Sequence, residues 1–296
     1  MNHASPMNLP FVPADLAGQV AVITGAGGVL CSELARALAH AGMKVALLDL
    51  NLAAAEAVAA RLRDEGCHAI GLAADVLERA SLETAAAAVL QQLGPCSVLL
   101  NGAGGNHPKG TTTKEWLEPA DLTDKTLTSF FDLDPAGIGF VFNLNFLGTL
   151  LPTQVFAQQM LTADGTARPG CSVINVSSMN AFCPLTKIPA YSAAKAAVSN
   201  FTQWLAVHFC KVGIRVNALA PGFFLTAQNH KLLFDEASGE PTARAGKILA
   251  HTPMGRFGEA AELTGTMLWL ASSAASGFVN GVVVPVDGGF SAYSGV

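Results

Sequence analysis

The sequence has few charged residues and lacks an uninterrupted apolar run long enough to cross a membrane. Charged residues make up 13% of the 296 residues and hydrophobic residues 51%. A spanning helix needs about 20 predominantly apolar residues, and the most apolar region is broken by Asp132, Asp134, Asn143 and Asn145. We therefore expect a soluble protein with no membrane partner, whose apolar residues fill a covered sheet and subunit interfaces.

Motifs for metals, disulfides, nucleic acid and secretion are also missing. The six cysteines form no C-x-x-C pair, and the net charge of −5 comes without a basic patch. Residues 1–13 do not combine a basic start with an apolar core, as a secretory signal would. These features predict a cytoplasmic location, buried thiols, no metal site and no nucleic-acid partner.

One stretch carries a pattern of proton-transfer residues. Ser178 follows the apolar run 171–176, which is typical of a buried strand, and Tyr191 opens an alanine-rich segment typical of a helix. Lys195 lies four residues after Tyr191, on the same face of that helix. Because an ammonium beside a phenol favours the phenolate, we expect the pKa of Tyr191 to be lowered toward neutrality. Such a phenol can exchange a proton with an alcohol or carbonyl whose oxygen Ser178 hydrogen-bonds.

A serine followed by Tyr-x-x-x-Lys resembles the catalytic pattern of the short-chain dehydrogenase/reductase family. The resemblance covers about residues 17–290, and it implies an α/β fold with a doubly wound parallel sheet, the Rossmann fold, in a single domain. It also implies an oxidoreductase that forms a homotetramer. The expected organisation is an N-terminal extension at 1–16, the domain at 17–290 with a substrate lid at about 223–258, and a tail at 291–296.

A glycine-rich loop follows the first predicted strand and precedes a helix. Small residues there let backbone N–H groups and the helix start approach a pyrophosphate. Val29 and Cys31 stand where the family has its second and third glycines, which leaves a simple helix-capping turn as the alternative. The loop residues expected to bind the cofactor are Gly25, Gly27, Gly28, Val29 and Leu30.

The second predicted strand ends at Asp49, at the spacing typical of an acid that hydrogen-bonds the adenosine ribose. Its carboxylate would repel a 2′-phosphate, and the following Leu50 and Asn51 offer no cation to bind one. Asp49 therefore predicts NAD as the cofactor, with a solvated acid as the alternative. Gly102 replaces an asparagine that the family has at this position. The resemblance implies further cofactor contacts at Asp75, Val76, Asn101, Ala103, Gly104, Tyr191, Lys195, Pro221, Gly222, Phe224 and Thr226.

A further asparagine, Asn145, lies in an apolar segment that predicts one long helix from Phe140 to Leu161. The resemblance implies that Asn145 is the fourth catalytic residue and holds a water of the proton relay beside Lys195. An amide buried within a helix is costly unless it is hydrogen-bonded. A purely structural role for Asn145 is therefore the alternative.

The segment 105–130 lacks regular periodicity, and long loops of this kind commonly serve binding. Segments 104–108, 177–182 and 290–296 resemble the D-mannonate oxidoreductase (fructuronate reductase) branch of the family. That branch implies a small-molecule sugar-acid substrate, with NAD-linked interconversion of D-mannonate and D-fructuronate. The alternatives are a gluconate 5-dehydrogenase-like or other polyol dehydrogenase, and a non-catalytic nucleotide-binding scaffold or sensor. The expected substrate-binding residues are Asn106, His107, Ser178, Asn180 and Tyr191.

Overall fold

Short apolar segments form a seven-stranded parallel sheet in the residues that the computed structural model describes, 9, 11–226, 230–235 and 239–295. Parts of the expected N-terminal extension, lid and tail lie outside these residues. The strands are β1 (Val20–Thr24), β2 (Lys44–Asp49), β3 (Ala69–Ala73), β4 (Val98–Asn101), β5 (Ser172–Val176), β6 (Arg215–Pro221) and β7 (Val283–Val286). Their order is β3-β2-β1-β4-β5-β6-β7, so the expected doubly wound fold is confirmed.

Helices connect the strands and pack on both faces of the sheet. They are α1 (Val29–His40), α2 (Leu52–Asp64), α3 (Arg79–Gln92), α4 (Pro135–Phe142), α5 (Gly148–Met160), α6 (Pro189–Phe209), α7 (His230–Leu233), α8 (Ala243–His251), α9 (Thr264–Ala271) and α10 (Ser273–Ser276). Alternate residues of β1 belong to two separate cores. Ala21 and Ile23 pack with α1, α2 and α9, whereas Val20 and Val22 pack with α3, α5 and α6. Burial on both faces explains why the strands are continuous apolar runs.

The strand order reverses between β1 and β4, which places a crevice at the carboxyl ends of these strands. Thr24, Asn101 and Asn175 are aligned across β1, β4 and β5. In open α/β sheets, ligands bind in the crevice beyond such a reversal. This edge of the sheet is therefore where the expected site residues should meet.

The helix predicted from Phe140 to Leu161 is divided in the structure, which corrects the sequence-based expectation. A π-helical turn, Asn143–Leu147, separates α4 from α5. The whole stretch Pro135–Met160 is long and apolar enough to cross a membrane by length and composition, with a mean hydropathy of 1.3. However, α5 packs against α3 and β4, and Thr153 within it accepts a hydrogen bond from Asn101 at 2.8 Å. It is therefore built into the core of this fold.

Two segments extend beyond the carboxyl edge. The insertion 105–134 folds back on itself, because Thr113 N–H donates to Thr128 O at 2.9 Å. The second segment contains α7 and α8, which share a small apolar cluster with Phe257. Lys247 on α8 and Glu115 in the insertion form an ion pair at 2.9 Å. The two segments therefore contact each other.

The edge strand β7 is short and partly exposed, and it contains Pro285. It pairs with β6 in register, with Ala220 opposite Pro285. The carbonyl of Val286 accepts from Gly222 N–H at 2.9 Å.

Candidate active site

Ser178 and Tyr191 come together because their elements pack on each other. Ser178 follows β5 and caps a 3-10 helix at 179–181, which packs against α6. Tyr191 lies in the first turn of α6, two residues after its start at Pro189. The Ser178 side chain lies close enough to Tyr191 to lower the pKa of its phenol in part. The predicted placement of a strand-end serine beside a helix-start tyrosine is thus present.

Lys195 lies one turn further along α6, with Nζ 5.7 Å from the centroid of the Tyr191 ring. Its ammonium donates to the Val176 carbonyl at 2.7 Å. Burial lowers the pKa of Lys195 to about 8. Burial also raises the pKa of Tyr191, and the Ser178 side chain only partly opposes this. The expectation that the pKa of Tyr191 is lowered toward neutrality is therefore wrong, because desolvation of the buried phenol outweighs the lowering by Ser178.

Asn145 occupies the π-helical turn and is fully buried. Its Nδ2 donates to the carbonyls of Gly105 at 2.7 Å and Val141 at 2.8 Å. A Cβ built on Gly104 would lie 2.6 Å from Asn145 Oδ1 and 3.2 Å from Lys195 Nζ. Gly104, Asn145 and Lys195 therefore adjoin one another, and only glycine fits between them. Single-turn π-helices are frequent at functional sites. The role of Asn145 in a water relay stays a prediction.

The glycine loop provides a cradle at the start of α1. Gly25 has φ +65°, and a Cβ on it would lie 2.8 Å from the Ala103 Cα. Gly28 is the N-cap of α1 and contributes no side-chain cap. The first N–H groups of a helix have no partner within the helix, so those of Val29 and Leu30 are suited to an anion. These features fit a pyrophosphate.

Asp49 lies beside this cradle at the end of β2. Its Oδ2 accepts from Gly27 N–H at 3.0 Å, and its Oδ1 accepts from Asn51 N–H at 2.9 Å. A Cβ on Gly27 would lie 3.0 Å from Asp49 Oδ2. The two backbone donors fix the carboxylate next to the glycine loop. Because each oxygen can accept more than one hydrogen bond, capacity remains for ribose hydroxyls.

Two departures from the family pattern, Cys31 and Gly102, are in contact. A Cβ on Gly102 would overlap Cys31 Sγ and lie 2.9 Å from the Thr24 carbonyl oxygen. Cys31 occupies the space that an asparagine at position 102 would need. The hydroxyl of Thr24 accepts from the N–H groups of Gly102 at 3.1 Å and Ala103 at 3.2 Å. Sequence reasoning overlooked Thr24, although a hydroxyl directly before the glycine loop was a usable signal.

The remaining expected cofactor residues lie at strand ends. Asp75 and Val76 follow β3, and Asp75 Oδ1 accepts from Leu77 N–H at 2.9 Å. Asn101 is buried, and its Nδ2 donates to Thr153 and Asn175. The Asn101 amide therefore serves an internal network that joins β4, β5 and α5.

The turn after β6 closes the same edge. A Cβ on Gly222 would lie 2.6 Å from the Asp287 Cα, so only glycine fits after Pro221. Phe224 is buried, and Thr226 is the last described residue before the segment 227–229. These residues place a tight turn at the end of β6, where the family resemblance expects contacts to the nicotinamide.

The expected substrate residues divide between an exposed loop and a buried turn. Asn106 is exposed, and its Nδ2 donates to Thr111 Oγ1 at 3.0 Å. The His107 ring lies 5.1 Å from that of Phe140, and its Nδ1 accepts from Lys109 N–H at 3.2 Å. Asn180, in contrast, is only 5% exposed. Asn106 and His107 thus shape the insertion, whereas Asn180 lies inside the site.

Comparison with known proteins agrees with this geometry. The sequence profile of the short chain dehydrogenase family matches residues 19–237. An uncharacterized oxidoreductase of Haemophilus influenzae is 57% identical over 282 residues, covering 95% of this chain and 96% of that protein. A crystal structure from Haemophilus influenzae with bound NAD, provisionally named a D-mannonate oxidoreductase, is 56% identical. It has a TM-score of 0.89 and covers 95% of this chain and 98% of its own.

A more distant structure has a different cofactor. A gluconate 5-dehydrogenase of Burkholderia cenocepacia, in complex with NADP and tartrate, is 31% identical with a TM-score of 0.76, covering 94% of this chain and 96% of its own. The fold and the site together define a dehydrogenase. The chain belongs to the short-chain dehydrogenase/reductase family, and it is an oxidoreductase that acts on CH–OH groups.

Proposed function

We propose that the protein is an NAD-dependent oxidoreductase that interconverts D-mannonate and D-fructuronate. The observation that carries this proposal is the likeness to the Haemophilus structure provisionally named a D-mannonate oxidoreductase, at 56% identity over 95% of this chain. That protein was solved with NAD, which is also the cofactor that Asp49 favours. The proposed substrate is a polyhydroxylated acid whose secondary alcohol is oxidised to a ketone.

Tyr191 and Ser178 would act on the reacting oxygen. When NAD is bound, its nicotinamide supplies the acceptor for the hydride that leaves the substrate carbon. In the oxidation, the Tyr191 phenolate takes the proton of the substrate hydroxyl on Oη as the C–H bond breaks, and the carbonyl forms. Ser178 Oγ hydrogen-bonds the same substrate oxygen and holds it beside Tyr191. In the reduction, the protonated phenol returns its proton to that oxygen.

Lys195 and Asn145 would support this proton transfer. The Lys195 ammonium lies over the Tyr191 ring, where its charge stabilises a phenolate as it forms. Its position beside Gly104 also suits a hydrogen bond to the nicotinamide ribose. Asn145, packed against Gly104 and Gly105, would hold the proton path next to Lys195.

Asp49 supports NAD over NADP in this proposal. The fixed carboxylate at the end of β2 accepts hydrogen bonds, and ribose hydroxyls are donors. A 2′-phosphate at the same place would bring like charges together. Leu50, which follows Asp49, is 76% exposed and supplies no compensating cation.

Absorbance of NADH with the purified protein tests the function directly. D-mannonate, D-gluconate and neutral polyols are supplied in turn with NAD and then with NADP. Turnover of D-mannonate with NAD is the expected result. Tyr191→Phe removes only the reacting hydroxyl, and we expect turnover to fall at least a hundredfold, as loss of a general acid–base group does. The affinity for NADH, measured by fluorescence titration, should stay within about threefold of the wild-type value. A Tyr191→Phe variant that keeps wild-type turnover contradicts the catalytic assignment.

A gluconate 5-dehydrogenase activity is the second candidate. It is favoured by the likeness to the Burkholderia enzyme, which was solved with NADP and tartrate. The same panel separates the two candidates. Turnover of D-gluconate without D-mannonate would replace the proposed substrate and leave the catalytic residues unchanged, whereas no turnover of any compound would favour a non-catalytic nucleotide-binding protein.

A homotetramer is part of this proposal. Helix α6 leaves Trp204 56% exposed and Val207 74% exposed. Trp204 also stacks on His208 with ring centroids 4.7 Å apart, which makes a flat apolar surface. Contiguous apolar side chains of this kind are typical of subunit interfaces. Light scattering should give the mass of four chains, and a monomeric mass would contradict the assembly.

A further inference from the structure

The end of strand β5 is joined to helix α6 by side-chain hydrogen bonds. Asn175 Nδ2 donates to Thr202 Oγ1 at 2.9 Å. The next carbonyl along the chain, that of Val176, accepts from Lys195 Nζ at 2.7 Å. Ser177 Oγ then donates to the backbone carbonyl of Lys195 at 3.1 Å. Two consecutive residues therefore hold both ends of Lys195, its ammonium and its backbone.

The peptide between Val176 and Ser177 is a rigid anchor because the sheet fixes it. Ser177 N–H donates to Leu219 O on β6 at 2.7 Å. In a trans peptide the carbonyl points the opposite way, so that of Val176 faces the side of β4. Strand β4 ends one position earlier in the register, at Asn101. The Lys195 ammonium thus binds a carbonyl oxygen that a longer β4 would have paired.

Holding both ends of Lys195 determines where its ammonium lies. Lysine carries its charge on a flexible four-carbon stem, so the ammonium can otherwise occupy many positions. The helix supplies one donor to the Lys195 carbonyl, the N–H four residues later, and Ser177 supplies a second. Nζ lies 5.7 Å from the centroid of the Tyr191 ring, and a Cβ built on Gly104 would lie 3.2 Å from it. The ammonium is therefore held beside both the phenol and the turn after β4.

We propose that Ser177 is a positioning residue, whose hydroxyl fixes α6 at Lys195 and thereby the place of the ammonium beside Tyr191. This inference rests on the proposed function, in which that ammonium stabilises the phenolate and binds the nicotinamide ribose. Ser177 is 2% exposed, so it acts through Lys195 and not on the substrate. Ser199 Oγ lies 2.7 Å from Ser177 Oγ. Because Ser177 donates its single proton to Lys195, Ser199 is the donor in this second contact.

Turnover and stability, measured on the same purified variants, separate positioning from a purely structural role. Ser177→Ala should lower kcat about tenfold, because a small displacement of a group beside the reacting atoms is costly. Ser172→Ala is the matched control, since Ser172 is buried on the same strand and donates to Leu270 O at 3.3 Å. Both variants should lose about 2–4 °C in Tm, but Ser172→Ala should keep kcat. Equal kcat for the two variants would overturn the inference.

Two further variants test whether the contact with Lys195 is the cause. Ser177→Thr keeps the hydroxyl and should restore kcat to within about threefold of the wild type. Adding Ser177→Ala to Lys195→Met should lower the residual kcat by less than about twofold, because the ammonium that Ser177 positions is already gone. A further tenfold loss in the double variant would show that Ser177 acts by another route, which contradicts the proposal.

The affinity for NADH tests the same contact without turnover. Because the ammonium is expected to bind the ribose, fluorescence titration should give an affinity about threefold or more weaker in Ser177→Ala and unchanged in Ser172→Ala. Equal affinities for these two variants would count against the positioning role. In contrast, a Lys195→Met protein with wild-type turnover, or a wild type that oxidises none of the compounds, refutes the proposed function.

Discussion

The contact between Cys31 and Gly102 predicts a strong interaction between two sites in the cofactor cradle. In Gly102→Ala, the new Cβ overlaps Cys31 Sγ and lies 2.9 Å from the Thr24 carbonyl oxygen. Overpacking a core costs about 1–3 kcal/mol. We expect about 3 kcal/mol here, because one neighbour is backbone and the other is a short buried side chain that cannot move aside.

Removing the sulfur should relieve most of that cost. Cys31→Ala alone deletes one buried atom and should cost about 1 kcal/mol. In the double variant, the Cβ on residue 102 lies 3.6 Å from the Cβ of residue 31, an ordinary contact, and only the approach to Thr24 remains. The double variant should therefore lose about 2 kcal/mol, although the single losses add up to about 4 kcal/mol. The interaction free energy is then about 2 kcal/mol.

Urea denaturation of the four proteins, followed by tryptophan fluorescence, measures these free energies of unfolding. Gly246→Ala serves as the control, because a Cβ at that helical position meets no atom within 4 Å. The free energy of unfolding of this variant should be unchanged or higher. Losses for Cys31→Ala and Gly102→Ala that add within about 0.5 kcal/mol would refute the steric reasoning.

Two further predictions concern charged residues of the site. Asp49→Asn keeps a hydrogen-bond acceptor for Gly27 N–H but removes the negative charge. The ratio of kcat/KM with NAD to kcat/KM with NADP should therefore fall about tenfold or more. An unchanged ratio would exclude charge repulsion as the basis of cofactor selectivity. Burial lowers the pKa of Lys195 from its ordinary 10.5 to about 8, so between these pH values the unfolded chain binds more protons. The free energy of unfolding of the wild type, relative to that of Lys195→Met, should rise by roughly 2 kcal/mol from pH 8 to pH 10. Urea denaturation at each pH measures both free energies. The prediction is contradicted if the two proteins show the same dependence on pH.

Local sequence patterns were sufficient for the sheet and for the order of the catalytic residues. The apolar runs around Val22 and Val173 mark buried strands, and the spacing from Tyr191 to Lys195 is set by one helical turn. These features depend on neighbours in the sequence. They could therefore be predicted before any packing was known.

The features that were not predicted depend on tertiary packing. The π-helical turn at Asn145 exists where that amide reaches Gly105, forty residues away in sequence. The pKa of Tyr191 rises because surrounding elements remove it from water, which its spacing from Lys195 does not reveal. Likewise, the ion pair between Lys109 and Asp134 at 3.1 Å joins two residues that only the fold of the insertion brings together.

Pro285 gives the sheet a protected border. The carbonyls of Val282 and Val286 face β6, where they accept from Ala218 and Gly222. Because successive residues of a strand face opposite sides, the nitrogen of Pro285 faces away from β6 and carries no hydrogen. An incoming strand from another molecule would find no donor at the middle of this four-residue edge. The strand that completes the sheet thereby also limits its growth into aggregates.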